Sequence, residues 1–178
     1  MLKLKLKYTV ALIIILSVQC IAYDPLVTYK CLYDYYYTVS KGQCSLPLVL
    51  YIEIFVESYR MGANPYIIIA ISNRETGFKN VISPNGEDSG FMQINRAQML
   101  SGETAKDYLD VHKNVCKGIK IYLSALKKAK GDEKKALAYY NAGENFDLSR
   151  YTHWEDYAQY IIDNKVKSTS MCNLKISN

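Results

Sequence analysis

The sequence is poor in the side chains that usually hold a transition metal. It contains two histidines, His112 and His153, and its five cysteines include no C-x-x-C pair. Structural zinc sites normally combine such cysteine pairs with suitably spaced histidines. Residue spacing therefore gives no sign of a metal site, and we expect neither a metal nor another cofactor.

The sequence also lacks an apolar run of the roughly 20 residues that a membrane-spanning helix needs. Its run at residues 8–18 is shorter, follows Lys3, Lys5 and Lys7, and is followed by small residues at Cys20 and Ala22. This pattern is typical of a secretory signal peptide. We predict a signal at residues 1–22, cleaved near Ala22, and a secreted or periplasmic protein. An uncleaved membrane anchor is the alternative.

The net positive charge of the sequence lies mostly in its predicted signal peptide. With 22 basic and 17 acidic residues the formal net charge is +5, which suggests an anionic partner such as nucleic acid. Three of those lysines lie in the predicted signal, so 19 basic and 17 acidic residues remain. We therefore expect no nucleic-acid partner. The length and the 49% hydrophobic content indicate a single globular domain.

Removal of Cys20 with the signal would leave an even set of cysteines. Four cysteines in an oxidising compartment allow three pairings. We favour Cys31–Cys44, because it closes a short loop, and Cys116–Cys172, which follows by elimination. The Tyr-rich residues 23–44 would form a disulfide-stapled segment before a domain at residues 45–178.

Capping signals predict a mainly α-helical domain. Asn64 and Pro65 begin an apolar helix that Gly77 ends, although a buried strand is the competing interpretation of residues 67–71. The turn sequence at 83–86 predicts a small β or loop insertion. Further helices are expected at about 45–61, 111–129, 132–142 and 154–166.

Glu75 stands out because it lies at the end of that apolar helix, where the chain enters a polar turn. A carboxyl group surrounded by apolar side chains loses hydration in its charged form, so its pKa rises and it can donate a proton near neutral pH. Taken alone, Glu75 fits better with an ordinary surface residue in the last turn of a helix.

Four short motifs follow one another in a distinctive order. They are Glu-Thr-Gly-Phe at 75–78, Ser-Pro at 83–84, Gly-Phe-Met-Gln-Ile at 90–94 and Ala-Leu-Ala-Tyr-Tyr-Asn-Ala-Gly at 136–143. In this order they resemble the soluble lytic transglycosylase family, over residues 46–161. The departures are small: Thr76 and Phe91 stand where the family usually has Ser and Leu.

The resemblance implies a lysozyme-like fold with a small β or loop insertion beside an active-site groove. It implies cleavage of the bond between N-acetylmuramic acid and N-acetylglucosamine in peptidoglycan, with Glu75 as the single acid/base and a 1,6-anhydro product. The compact chain is similar to members that serve secretion systems or pili, and we expect a monomer.

The resemblance also assigns residues to the substrate. Met92 and Gln93 match a pair that lines the groove, and Ser83 resembles a serine near the sugar's acetamido group. Tyr140 and Asn141 match positions opposite the acid.

Asp88 leaves a second enzymatic interpretation open. Goose-type lysozymes share the Glu and Met-Gln framework but carry acidic residues in the intervening loop, and hydrolysis needs a carboxylate that positions water. Asp88 fits that role, or it is a solvated turn residue. A third interpretation is a non-catalytic protein that binds or assembles the cell wall.

Overall fold

The computed structural model describes the backbone of residues 48–143, 145–148 and 154–176, and side chains over 50–143, 145–148 and 154–165. The predicted signal peptide at 1–22 and the Tyr-rich segment at 23–44 lie outside these residues. No described residue forms a disulfide with Cys116. Cys31, Cys44 and the side chain of Cys172 fall outside the description, so both disulfide pairings remain predictions.

The described chain is mainly helical, which confirms the predicted fold class. The α-helices are α1 (Leu48–Met61), α2 (Pro65–Thr76), α3 (Val111–Lys128), α4 (Glu133–Ala142) and α5 (Trp154–Ile176). Two 3₁₀ helices, Arg96–Gln98 and Ala105–Leu109, lie between α2 and α3. Among the described residues, no helix combines the length and apolar character that crossing a membrane requires.

Helix α2 forms the centre of the core and has the boundaries that its sequence predicts. The Asn64 side chain accepts a hydrogen bond from the Tyr66 N–H at one end, and Gly77 adopts a left-handed conformation (φ 57°) at the other. Residues 67–71 are all buried. The helical interpretation of this run is therefore correct, and the alternative of a buried strand is wrong.

The small β element lies slightly later than the turn at 83–86 suggests. Strands β1 (Asp88–Ser89) and β2 (Ile94–Asn95) pair antiparallel, with Ser89 opposite Ile94. The turn at 83–86 instead leads from Ile82 back to Ser89, which form an isolated bridge. The segment that joins the two strands is therefore 90–93, part of the third motif.

Helix α3 packs against α1 and α4. Asp110 and Asp132 cap the N-termini of α3 and α4 by accepting the N–H groups of Lys113 and Lys135. This agrees with the predicted start of α4. Helix α5 continues to Ile176 rather than ending near 166, because its later residues include neither glycine nor proline to stop it.

The chain divides into two compact units. Residues 46–166 form one of them and contain all the motifs described above. The other consists of residues 1–45 and 167–178, of which the structure describes only the backbone of the final helical residues.

Candidate active site

Glu75 lies in the last turn of α2, half-buried, directly after the apolar part of that helix. Burial is the largest influence on its carboxyl group and raises its pKa above the ordinary value. This is the environment that a carboxyl group needs to remain protonated and act as an acid.

Tyr157 holds this carboxyl group through a hydrogen bond. Its hydroxyl donates a hydrogen bond of 2.5 Å to Glu75 Oε1, and the residue is only 7% exposed. The bond favours the ionised form and lowers the pKa of Glu75, although burial outweighs it. Sequence reasoning missed Tyr157: it is an aromatic residue in the first turn of α5, and no motif marks it.

Tyr140 is the second tyrosine close to Glu75. Burial raises its pKa well above the usual value, and the negative charge of Glu75 raises it further. Its hydroxyl donates a 2.9 Å hydrogen bond to the carbonyl oxygen of Met92. Tyr140 therefore joins α4 to the third motif, and its phenol stays protonated beside the candidate acid. The neighbouring Asn141 is exposed at the end of α4.

Asp88 also acts on Glu75. The charge of its carboxylate adds to the effect of burial in raising the pKa of Glu75. Asp88 is half-buried in β1, and its Oδ1 accepts a 2.8 Å hydrogen bond from the Asn95 side chain. A second, ionisable carboxyl group is therefore positioned where it influences the first.

Ser83 and Gln93, which the resemblance assigns to the substrate, form hydrogen bonds with other residues of the loop between α2 and the 3₁₀ helix at Arg96. Ser83 Oγ donates to Asn85 Oδ1 (2.6 Å) and accepts from the Asp88 N–H (2.8 Å). Gln93 Nε2 donates to the carbonyl oxygens of Gly90 (2.8 Å) and Val81 (3.2 Å). These bonds fix the shape of the loop, and the Gln93 bonds leave its Oε1 as the side chain's acceptor for a ligand.

Met92 occupies a different place from the predicted groove lining. Its side chain has 0% exposure, and it packs so closely on α3 that a Cβ at Gly118 would lie 2.3 Å from its sulfur. Sequence resemblance predicts contact with substrate, but this side chain is a core residue. Its contribution to the site comes from the backbone carbonyl that holds Tyr140.

Asn114 anchors the third motif to α3 and is a positioning residue that sequence reasoning did not identify. It is fully buried, and its Oδ1 accepts the Met92 N–H at 3.0 Å. Its Nδ2 donates to the carbonyl oxygens of Ser89 (2.8 Å) and Tyr108 (3.0 Å). A buried amide with three satisfied bonds fixes the loop strongly, because losing it leaves unpaired polar groups.

The whole arrangement lies within a span that a known family covers. A family model for the transglycosylase SLT domain matches residues 53–161, more than half of the chain. The chain belongs to the transglycosylase SLT-domain family. Membership supports a peptidoglycan lytic transglycosylase activity at the level of the family. No curated protein and no solved structure gives a significant match to the chain.

Proposed function

We propose that this SLT-domain protein is a peptidoglycan lytic transglycosylase that cleaves the β-1,4 bond between N-acetylmuramic acid and N-acetylglucosamine. One observation carries the proposal: Glu75, in the first family motif, is half-buried, and its carboxyl group has a raised pKa and a hydrogen bond from Tyr157. A single carboxyl group of this kind can serve first as acid and then as base.

The reaction has two proton transfers. Protonated Glu75 gives its proton to the glycosidic oxygen as the bond to muramoyl C1 breaks, and the N-acetylglucosamine end leaves as an alcohol. The resulting carboxylate takes the proton of the muramoyl 6-hydroxyl while O6 bonds to C1, which closes the 1,6-anhydro ring. Between the two steps, the Tyr157 hydroxyl stabilises the carboxylate through its bond to Oε1.

Substrate contacts are proposed for polar side chains of the motifs that follow Glu75 in the sequence. Gln93 Oε1 would accept a hydrogen bond from a sugar acetamido N–H, and exposed Asn141 would bond to the glycan beside Tyr140. Ser83 would contribute by shaping the loop, since its hydroxyl is bonded to Asn85 and to the Asp88 N–H.

A second candidate is hydrolysis of the same bond, with the Asp88 carboxylate positioning water. It is favoured by the effect of the Asp88 charge on Glu75 and by the Asn95 hydrogen bond that holds Oδ1. Hydrolases of glycosides use two carboxyl groups in this way.

Turnover of purified peptidoglycan by matched variants tests these proposals. Glu75→Gln should reduce turnover by about 100-fold or more, as expected for removal of an acid/base. Glu87→Gln is the control: it changes an exposed carboxylate next to Asp88 and should leave turnover unchanged. Full turnover by Glu75→Gln would exclude Glu75 as the acid in both enzymatic candidates, whereas no turnover by the unaltered protein would leave a role in binding or assembling the cell wall.

Asp88→Asn separates transglycosylase from hydrolase. If Glu75 acts alone, turnover persists, and its alkaline limit moves to lower pH because the charge that raises the pKa of Glu75 is gone. A loss similar to that of Glu75→Gln would favour hydrolysis.

We also propose that the protein is exported, with cleavage near Ala22, and acts on the cell wall as a monomer beside a secretion or pilus machine. The measurement is the N-terminal sequence of the exported protein, which should begin at Tyr23. An exported form that retains Met1 would contradict cleavage.

A further inference from the structure

A second cluster of chemically active side chains lies between α1 and α3. Glu53 and Glu57 are one turn apart on α1, and His112 and Cys116 are one turn apart on α3. Residues four apart on a helix project from the same face. Because α1 packs against α3, the two pairs face each other.

The donor atoms of three of these residues lie at the separations of a metal site. Cys116 Sγ is 3.2 Å from Glu57 Oε2 and 3.7 Å from His112 Nε2. With one ligand atom taken from each residue, the three atoms lie within 4.8 Å of one another. The second ring nitrogen, His112 Nδ1, is 4.0 Å from Glu57 Oε1. In a tetrahedral zinc site, neighbouring ligand atoms are about 3.3 to 3.6 Å apart, given the usual bond lengths. Small side-chain adjustments would bring the three atoms onto one ion.

Glu53 orients the imidazole of His112. Its Oε1 contacts His112 Nδ1 directly. A carboxylate from each of two successive turns of α1 would then face the imidazole and thiol of α3.

We propose that Glu57, His112 and Cys116 bind a divalent cation of the zinc class, with His112 held by Glu53. Sulfur and nitrogen ligands favour zinc over calcium and magnesium, which prefer oxygen alone. When sulfur binds the ion, the thiol proton leaves to solvent.

Charge balance supports the same class of ion. Two carboxylates and a thiolate carry three negative charges, and Arg60 provides one positive charge beside them, so a divalent cation makes the cluster neutral. Arg60 donates to a single oxygen, Glu57 Oε2, from Nε (2.8 Å) and Nη2 (2.5 Å). Arg60 thereby fixes the carboxylate, whose other oxygen, Oε1, is 4.0 Å from His112 Nδ1. Ligating carboxylates in proteins are commonly held in this way.

One side of the cluster, at Glu57, is buried, and the other, at His112, is open to solvent. The Glu57 side chain is 8% exposed, whereas that of His112 is 62% exposed. An ion can therefore enter from solvent past the imidazole and meet a carboxylate that the protein already holds in place.

Zinc binding and the predicted Cys116–Cys172 disulfide exclude each other, because both use the same sulfur. The first measurement is therefore a mass-spectrometric thiol map of the exported protein as isolated. The proposal requires Cys116 to be unoxidised, and a Cys116–Cys172 bridge in that protein would overturn it.

The second measurement is calorimetric titration of the full chain with Zn²⁺, together with absorption spectra of the Co²⁺ form. We expect one ion per chain, a thiolate-to-cobalt charge-transfer band and a Zn²⁺-dependent rise in Tm. His112→Gln, at an exposed position that leaves the fold intact, should weaken binding by about 10- to 100-fold. Cys116→Ser should remove the charge-transfer band.

Glu155→Gln, at an exposed carboxylate on α5, is the matched control and should bind as tightly as the unaltered protein. Absence of Zn²⁺ binding, or equal affinity in His112→Gln and the control, would overturn the site.

Discussion

At the scale of single residues, the environment that keeps Glu75 protonated for catalysis also lowers the stability of the folded protein. Burial disfavours its ionised form, so the folded protein loses stability as the pH rises from the ordinary pKa of glutamate through the raised pKa of this carboxyl group. Below the ordinary pKa of glutamate the group is neutral in both the folded and unfolded chain, and the cost disappears. A site that keeps an acid protonated therefore lowers stability at neutral pH.

Glu75→Gln should accordingly raise Tm at neutral pH while it removes activity. The amide oxygen still accepts the Tyr157 hydrogen bond, and no charge has to be buried. The gain should shrink as the pH falls to the ordinary pKa of glutamate. Thermal unfolding from pH 4 to pH 8 measures this, and a Tm below that of the unaltered protein at pH 7 would contradict a buried acid.

Tyr157 acts on the reaction through Glu75. Tyr157→Phe removes the hydrogen bond by which Tyr157 lowers the pKa of the Glu75 carboxyl group. The pKa of Glu75 should therefore rise, and the alkaline limit of activity should move to higher pH. The carboxylate also loses a stabilising bond, and kcat should fall about 10-fold or more. A pH-rate profile is the measurement. Reduced activity with an unmoved alkaline limit would indicate a merely structural role.

At the scale of elements, the loop between β1 and β2 depends on close packing with α3. Gly90 has a φ of +76°, and a Cβ there would lie 2.0 Å from Asn114 Nδ2 and 2.5 Å from the carbonyl oxygen of Tyr108. A side chain at this position would displace Asn114 and the hydrogen bonds that fix Met92. The glycine of the third motif is therefore required by space as well as by conformation.

Gly90→Ala should reduce the free energy of unfolding by about 3 kcal/mol or more. Gly102→Ala is the control, since its φ is +85° but a Cβ would meet nothing within 4 Å. That variant should cost about 1 kcal/mol, for backbone conformation alone. Urea unfolding of both variants measures the difference, and equal losses would show that the contact with Asn114 is unimportant.

The elements that the sequence predicts are those with local signals. Asn64, Pro65 and Gly77 define α2 because caps and stops act within one turn. No local signal indicates that Tyr157 bonds to Glu75, 82 positions away, or that Met92 points into the core. Motif spacing likewise gave no sign of the cluster between α1 and α3. Its side chains come from distant parts of the sequence and meet only when the two helices pack.

At the scale of the whole molecule, the described fold brings motifs from distant parts of the chain around one carboxyl group. Helix α2 supplies Glu75, α5 supplies Tyr157, and α4 supplies Tyr140, which is tied to the β1–β2 loop. The mainly helical class follows from the sequence, since it needs only periodicity and caps. The environment of Glu75 does not, because it depends on packing between three helices.

In the reaction that we propose, Glu75 directs O6 of the muramoyl residue, rather than water, to C1. Mass spectrometry of peptidoglycan digested in ¹⁸O-labelled water tests this directly. We predict 1,6-anhydromuramoyl ends that are lighter by one water than reducing ends and contain no ¹⁸O. Reducing ends that carry ¹⁸O would contradict the claim and identify the protein as a hydrolase.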